Sequence, residues 1–125
     1  VLVVGGLLDT AHARAHIEVE DALGRSAEEV ATALIDEFNP LGFELELVKG
    51  INVGGELGVM VDNVPGQDLN RRLFVVHNGR LYSFLFAPAD AERPEILTQM
   101  EELYETVIGS FTFIAPTAPT GLPRP

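Results

Sequence analysis

Asn78-Gly79 separates two apolar runs of similar length, and that arrangement constrains the chain more than any other feature. Asn-Gly favours a two-residue type I′ turn, because asparagine and glycine tolerate the positive φ that both central positions need. The turn fixes a register in which His77 faces Arg80, Val75 faces Tyr82 and Leu73 faces Phe84. Side chains alternate along a strand, so Leu73, Val75, Tyr82 and Phe84 share one face, and Phe74, Val76, Leu81 and Leu85 share the other. Both faces are largely apolar, which predicts central strands covered on both sides. The remainder of the chain must supply the two covering layers.

Two segments have the spacing to do so. Ser26-Ala27-Glu28-Glu29 is a capping box, and Ala27, Val30, Ala31, Leu34 and Phe38 follow it at three- and four-residue steps. Asn39-Pro40 should stop this helix, since a residue before proline is pushed away from helical geometry. A second helix begins near Pro94, a residue tolerated in a first turn. Ile96, Leu97, Met100, Leu103, Tyr104, Val107 and Ile108 form its apolar seam. Gly109 is expected to end it, and Phe111-Thr112-Phe113 to return as a short closing strand.

Residues 11–20 alternate strictly, with Ala11, Ala13, Ala15, Ile17 and Val19 on one side and His12, Arg14, His16, Glu18 and Glu20 on the other. That is the period of a half-buried strand. The apolar run before it, broken at Gly5-Gly6, reads as a buried strand joined to it through Asp9-Thr10. Phe43, Leu45 and Leu47 alternate with Glu44 and Glu46 as another strand. Residues 50–55 read as a glycine-punctuated turn, residues 57–62 as a strand, and residues 63–68 as a loop with a type II turn at Pro65-Gly66. The expected fold is α+β: an antiparallel β-sheet flanked by helices, an α/β/α sandwich over residues 1–114. Four of the eight prolines crowd residues 115–125, which read as an extended tail or linker.

The net charge of −11, with a single lysine, repels phosphate backbones and anionic lipid, so nucleic acid is not an expected partner. With no cysteine, disulfides, thiolate catalysis and cysteine-bound zinc are excluded. The N-terminal apolar run is far shorter than the roughly 20 residues of a membrane span, so no membrane insertion is expected of this segment.

Few residues suggest chemistry. Arg71 and Arg72, with Arg80, make the only basic cluster, suited to recognising a carboxylate or to local ion pairing. His77 lies beside the turn as a polar hairpin-end residue. Ser83 pairs across from Phe74, on the face opposite His77, so the two do not form a hydrolytic set. His12 and His16 would chelate a metal on a helix, but on a strand their attachment points lie about 13 Å apart. His16 with Glu18 is the nearer pair, a weak surface cation site. Asp62 and Asp68 crowd one loop with Asn63, Gln67 and Asn70, oxygen ligands without the spacing of a calcium loop. No cofactor is expected.

The order of elements, Gly79-Arg80-Leu81-Tyr82-Ser83-Phe84-Leu85-Phe86, a helix through Leu103-Tyr104, then Ile108-Gly109-Ser110-Phe111-Thr112-Phe113, resembles the PsbP-like superfamily. That superfamily includes the photosystem II extrinsic protein PsbP, a yeast nuclear-import factor and bacterial lipoproteins of the DcrB/LpqN type. The chain lacks the tryptophan common near the second helix of that superfamily. The resemblance implies a sheet between helices and no shared chemistry, since members mostly bind other proteins. The expected function is therefore a non-enzymatic, exported binding or accessory module with a protein partner, extracytoplasmic or secreted. Export draws also on the start at Val1 and the proline-threonine tail. The alternatives are a small-ligand or metal-ion carrier with a pocket between sheet and helix, and, disfavoured, a hydrolase.

Overall fold

A computed structural model describes residues 2–4 and 13–113 of the chain. The elements run β1 (Leu2–Val4), β2 (Arg14–Asp21), α1 (Ala27–Phe38), a 3-10 turn (Asn39–Leu41), β3 (Glu46–Val53), β4 (Glu56–Val64), β5 (Asn70–His77), β6 (Arg80–Ala87) and α2 (Pro94–Ser110). The strands form one six-stranded sheet in the order β1-β2-β6-β5-β4-β3, with every neighbouring pair antiparallel. One helix lies on each face. The α+β sandwich expected of the sequence is the fold.

The hairpin register is the one the Asn78-Gly79 turn requires, with His77 opposite Arg80 and Leu73 opposite Phe84. Both turn residues have positive φ, 53° and 76°. Leu73, Val75, Phe84 and Phe86 are buried under α2 together with Met100, Val107 and Ile108. Phe74 and Leu81 are buried on the other face with Ala27 and Ala31 of α1 and Val59, Val61 and Val64 of β4. β2 extends the sheet beyond β6 and turns Ala15 and Ile17 into the α2 layer, where Ala13, just before the strand, is buried with them. Val19, expected on the same dry side, is 39% exposed near the end of the strand. The Asp9-Thr10 connection and the Gly5-Gly6 break lie outside the described residues, as do Ala11, His12 and residues 114–125.

Several boundaries differ from expectation, each for a local reason. The capping box forms: the Ser26 hydroxyl accepts from the Glu29 N–H while the Glu29 carboxylate accepts from the Ser26 N–H. Asn39, however, stays helical at φ −58° and ψ −45°, because the chain tightens into a 3-10 turn over Pro40. It leaves that turn only at Gly42, whose φ is 88°. Residues 43–45 are not in a strand; the Phe43 ring instead meets Phe38 edge-on at 6.0 Å. Gly50 does not open a turn. It sits inside β3 at a bulge between Lys49 and Ile51, and the reversal falls at Gly54-Gly55.

Asn63 and Val64 belong to β4, with a second register shift between Val61 and Val64 and a φ of 63° at Asn63. Gly66 does not take the positive φ of a type II turn. Gly109 does not end α2. The helix runs to Ser110, whose hydroxyl donates back to the Thr106 carbonyl. The segment after it is not a strand, because its residues are held by rings rather than by a ladder. Phe111 meets Tyr82 and Phe84, and Phe113 meets Tyr82 and stacks on His77 at 4.0 Å. A Cβ on Gly54 would come within 2.9 Å of the Phe113 ring, so that approach needs a glycine.

Candidate functional site

The three arginines read as one basic cluster are dispersed by the fold. Arg71 and Arg72 are neighbours on a strand and therefore point to opposite faces. Arg80 stands exposed at the far end of the hairpin. Arg71 enters the α2 layer with its side chain only 11% exposed, 3.0 Å from Asp62 and 3.7 Å from Glu101. Its guanidinium lies 4.8 Å from the centre of the Tyr104 ring. Burial raises the Tyr104 phenol above its ordinary 10.0, with the Arg71 charge opposing that rise. This cluster is a strut between β4, β5 and α2.

His77 is committed as well. Its Nδ1 lies 2.7 Å from Glu56 Oε2, and its ring is covered by Phe113. Asp62 and Asp68 do not converge as cation ligands. Asp62 binds Arg71, whereas Asp68 binds Arg14 at 3.2 Å and Arg93 at 3.5 Å. Among the described residues, no group of three or more histidine, aspartate or glutamate side chains has metal-holding geometry. His16 Nε2 and Glu18 Oε2 do approach, at 3.4 Å, as their same-face spacing on β2 requires.

Among the described residues, the less covered face of the sheet is the α1 face. α1 covers β4 and β5 and reaches Leu81 at one end of β6. Among the described residues, β2 and the rest of β6 have no helix on that side. Cross-strand register builds the surface there: Arg72 is opposite Leu85, which is opposite His16. In the next row, Phe74 is opposite Ser83, which is opposite Glu18. His16, Glu18, Arg72, Ser83 and Leu85 line a cavity of about 100 Å³. It continues into a groove of about 260 Å³ along α1, floored by Phe74, Leu81 and Leu34 and edged by Glu20, Arg25 and Glu37.

Arg72 is positioned rather than merely present. Asn70 is the one buried polar side chain among the described residues, 5% exposed. Its Nδ2 donates to the Val64 and Asp68 carbonyls, and its Oδ1 accepts from Arg72 Nε at 3.1 Å. A buried amide anchored in this way fixes the guanidinium at Nε, and Arg72 lines the cavity. Arg72, His16 and Glu18 are legible as candidates in the sequence, whereas Asn70 reads there only as a loop oxygen ligand, Leu85 only as an apolar strand residue, and Ser83 is set against His77 rather than His16. The Asn78-Gly79 register already placed Leu85 opposite Arg72. Nothing local showed that β2 would pair with β6.

Ser83, His16 and Glu18 share the cavity, which raises the hydrolytic alternative afresh. Ser83 makes no hydrogen bond to the His16 ring. β6 lies between β2 and β5, so the backbone N–H groups near Ser83 are held in ladders and are not available as an oxyanion hole. Among the described residues, Ser83 thus has neither a histidine hydrogen bond nor free backbone N–H groups beside it. No protein-family model matches the chain, and no curated protein matches it. No helix among the described residues is long and apolar enough to cross a membrane.

Proposed function

We propose that this chain is a non-enzymatic, PsbP-like binding or accessory module that works outside the cytoplasm and holds a protein partner on the open half of its sheet. The observation that carries this reading is the uneven covering of the two faces. α2 packs against β2, β6 and β3 on its side, whereas α1, the one helix on the other side among the described residues, packs against β4 and β5 and reaches only Leu81 of β6. Two strands at about 4.8 Å spacing leave a strip about 10 Å wide, room for an extended segment or one helix. The strip combines apolar floor residues with charged side chains at its edges, the composition of a non-obligate interface. The element order and the Gly79–Phe86 strand support the family resemblance, and the proline-threonine tail supports an exported, tethered context.

Site-specific photocrosslinking tests this reading in the organism that makes the protein. A photoreactive residue at position 83 should trap a discrete protein adduct that Leu85→Glu abolishes. The same group at Thr32, on the exposed side of α1, should trap none. Equal labelling at both positions, or an adduct indifferent to Leu85→Glu, would remove the strip as the binding surface.

A further inference from the structure

We propose that the cavity between β2 and β6 is a carboxylate-recognition site anchored by Arg72, and that its occupant is an acidic side chain on an extended segment of the partner. The inference rests on the reading of the open strip as the binding surface and names what is recognised there.

Three of the six arginines among the described residues have a carboxylate partner. Arg14, Arg71 and Arg93 each have one within 4 Å. Arg25, Arg72 and Arg80 have none among the described residues, and of these three only Arg72 is held by a buried side chain, its Nε donating to the neutral oxygen of Asn70 whereas Arg25 Nε donates to the Ala22 carbonyl. A guanidinium fixed at Nε presents its terminal N–H groups as a planar fork that matches a carboxylate bidentately. The ordering entropy of that side chain is already spent on folding, which favours affinity.

The other lining groups fit the same ligand. Ser83, on the adjacent strand, lines the same cavity and carries a hydroxyl able to donate. Glu18 is turned towards His16, at 3.4 Å, rather than into contact with Arg72. A cavity of about 100 Å³ suits a carboxylate and little more, so the remainder of the ligand must lie in the adjoining groove. Phe74, Leu81 and Leu34 offer that remainder an apolar floor. From Leu81 to Leu85 the strand rises about 14 Å, the length of four extended residues. Glu18 and Glu20 nearby, in a protein of net charge −11, disfavour a phosphate dianion and leave a single negative charge as the better match.

The experiment is a pair of NMR titrations with acetyl-Leu-Glu-Leu-amide and acetyl-Leu-Gln-Leu-amide, both with neutral ends. The glutamate peptide should bind about tenfold tighter or better, as expected for a charge-assisted bond, and should shift the Ser83 and Leu85 amides and the Arg72 Nε–H. Arg72→Gln should erase the difference between the peptides. Arg72→Lys, which keeps the charge and loses the fork, should erase most of it. Arg80→Gln should leave it intact. Equal binding of the two peptides, or a preference that survives Arg72→Gln, overturns the assignment. Isovalerate binding as tightly as the glutamate peptide overturns the extended segment as occupant. If both peptides fail while the position-83 adduct still forms in Arg72→Gln, the carboxylate site falls and the binding strip stands.

Discussion

Arg71 and Arg72 are consecutive residues, yet they belong to two differently built halves of the molecule. Arg71 points into a layer closed by aromatic rings, where Tyr82, Phe84, Phe86, Tyr104, Phe111 and Phe113 meet one another at 4.9 to 6.3 Å. Its charge is consumed by Asp62 and Glu101. Arg72 points into a layer whose helix approaches through Ala27 and Ala31 and stops short of β2. Large rings fill the space between α2 and the sheet, whereas small residues let α1 sit close over only two strands. Among the described residues, one face of the sheet is thus closed by packed rings while part of the other has no helix over it.

The largest effect should come from the closed half. Phe84 is fully buried, with its ring parallel to Phe86 and edge-on to Phe111. Phe84→Ala should cost about 3–5 kcal/mol, the range for emptying an aromatic site in a packed core. Leu85→Ala, one residue along and half-buried in the open strip, should cost less than about 1.5 kcal/mol. Chemical denaturation of the two variants measures both. Comparable losses would mean that the α1 side is as tightly packed as the α2 side.

The two arginines should separate by a smaller margin. Arg71→Met leaves the Asp62 carboxylate, 16% exposed, without its nearest partner. A loss of about 2 kcal/mol is expected, and Asp62→Asn in the same chain should recover part of it. Arg72→Gln should stay within about 1 kcal/mol of the parent, since a half-exposed side chain with one hydrogen bond contributes little. Equal destabilisation by the two changes would make Arg72 a second strut and weaken its assignment as a recognition group.

The smallest effect is a pH dependence confined to the closed half. The folded Tyr104 phenol titrates above its unfolded value of 10.0, chiefly through burial. Its contribution is therefore complete below pH 10.0 and is lost as pH rises from there through the folded value. Tyr104→Phe should flatten that alkaline limb in denaturation experiments run across it. A limb unchanged by the substitution would place its origin elsewhere.

The sequence alone specified whatever depends on neighbours in the chain. The Asn78-Gly79 register, the Ser26 capping box and the seam of α2 follow from φ preferences and helical spacing, and all three are present in the fold. Local preference was also where the boundary expectations failed. Pro40 was accommodated by a 3-10 turn, Gly50 by a bulge, and Gly109 by continued helix, because packing of Phe38, β4 and Ile108 outweighed single-residue propensity.

What only the tertiary structure decided is the surface where function is proposed. The cavity exists because β2, distant in sequence, pairs with β6 and brings His16 and Glu18 alongside Leu85 and Ser83. Asn70 could not be read as a positioning residue until β4 and the loop after it supplied the carbonyls that hold its amide. Alternation along β5 made Arg71 and Arg72 diverge, but which of them would be buried depended on which face each helix took. The physical reason is one of range: turn and capping preferences act over two to four residues, while charge pairing and burial act between strands whose order the local sequence does not contain.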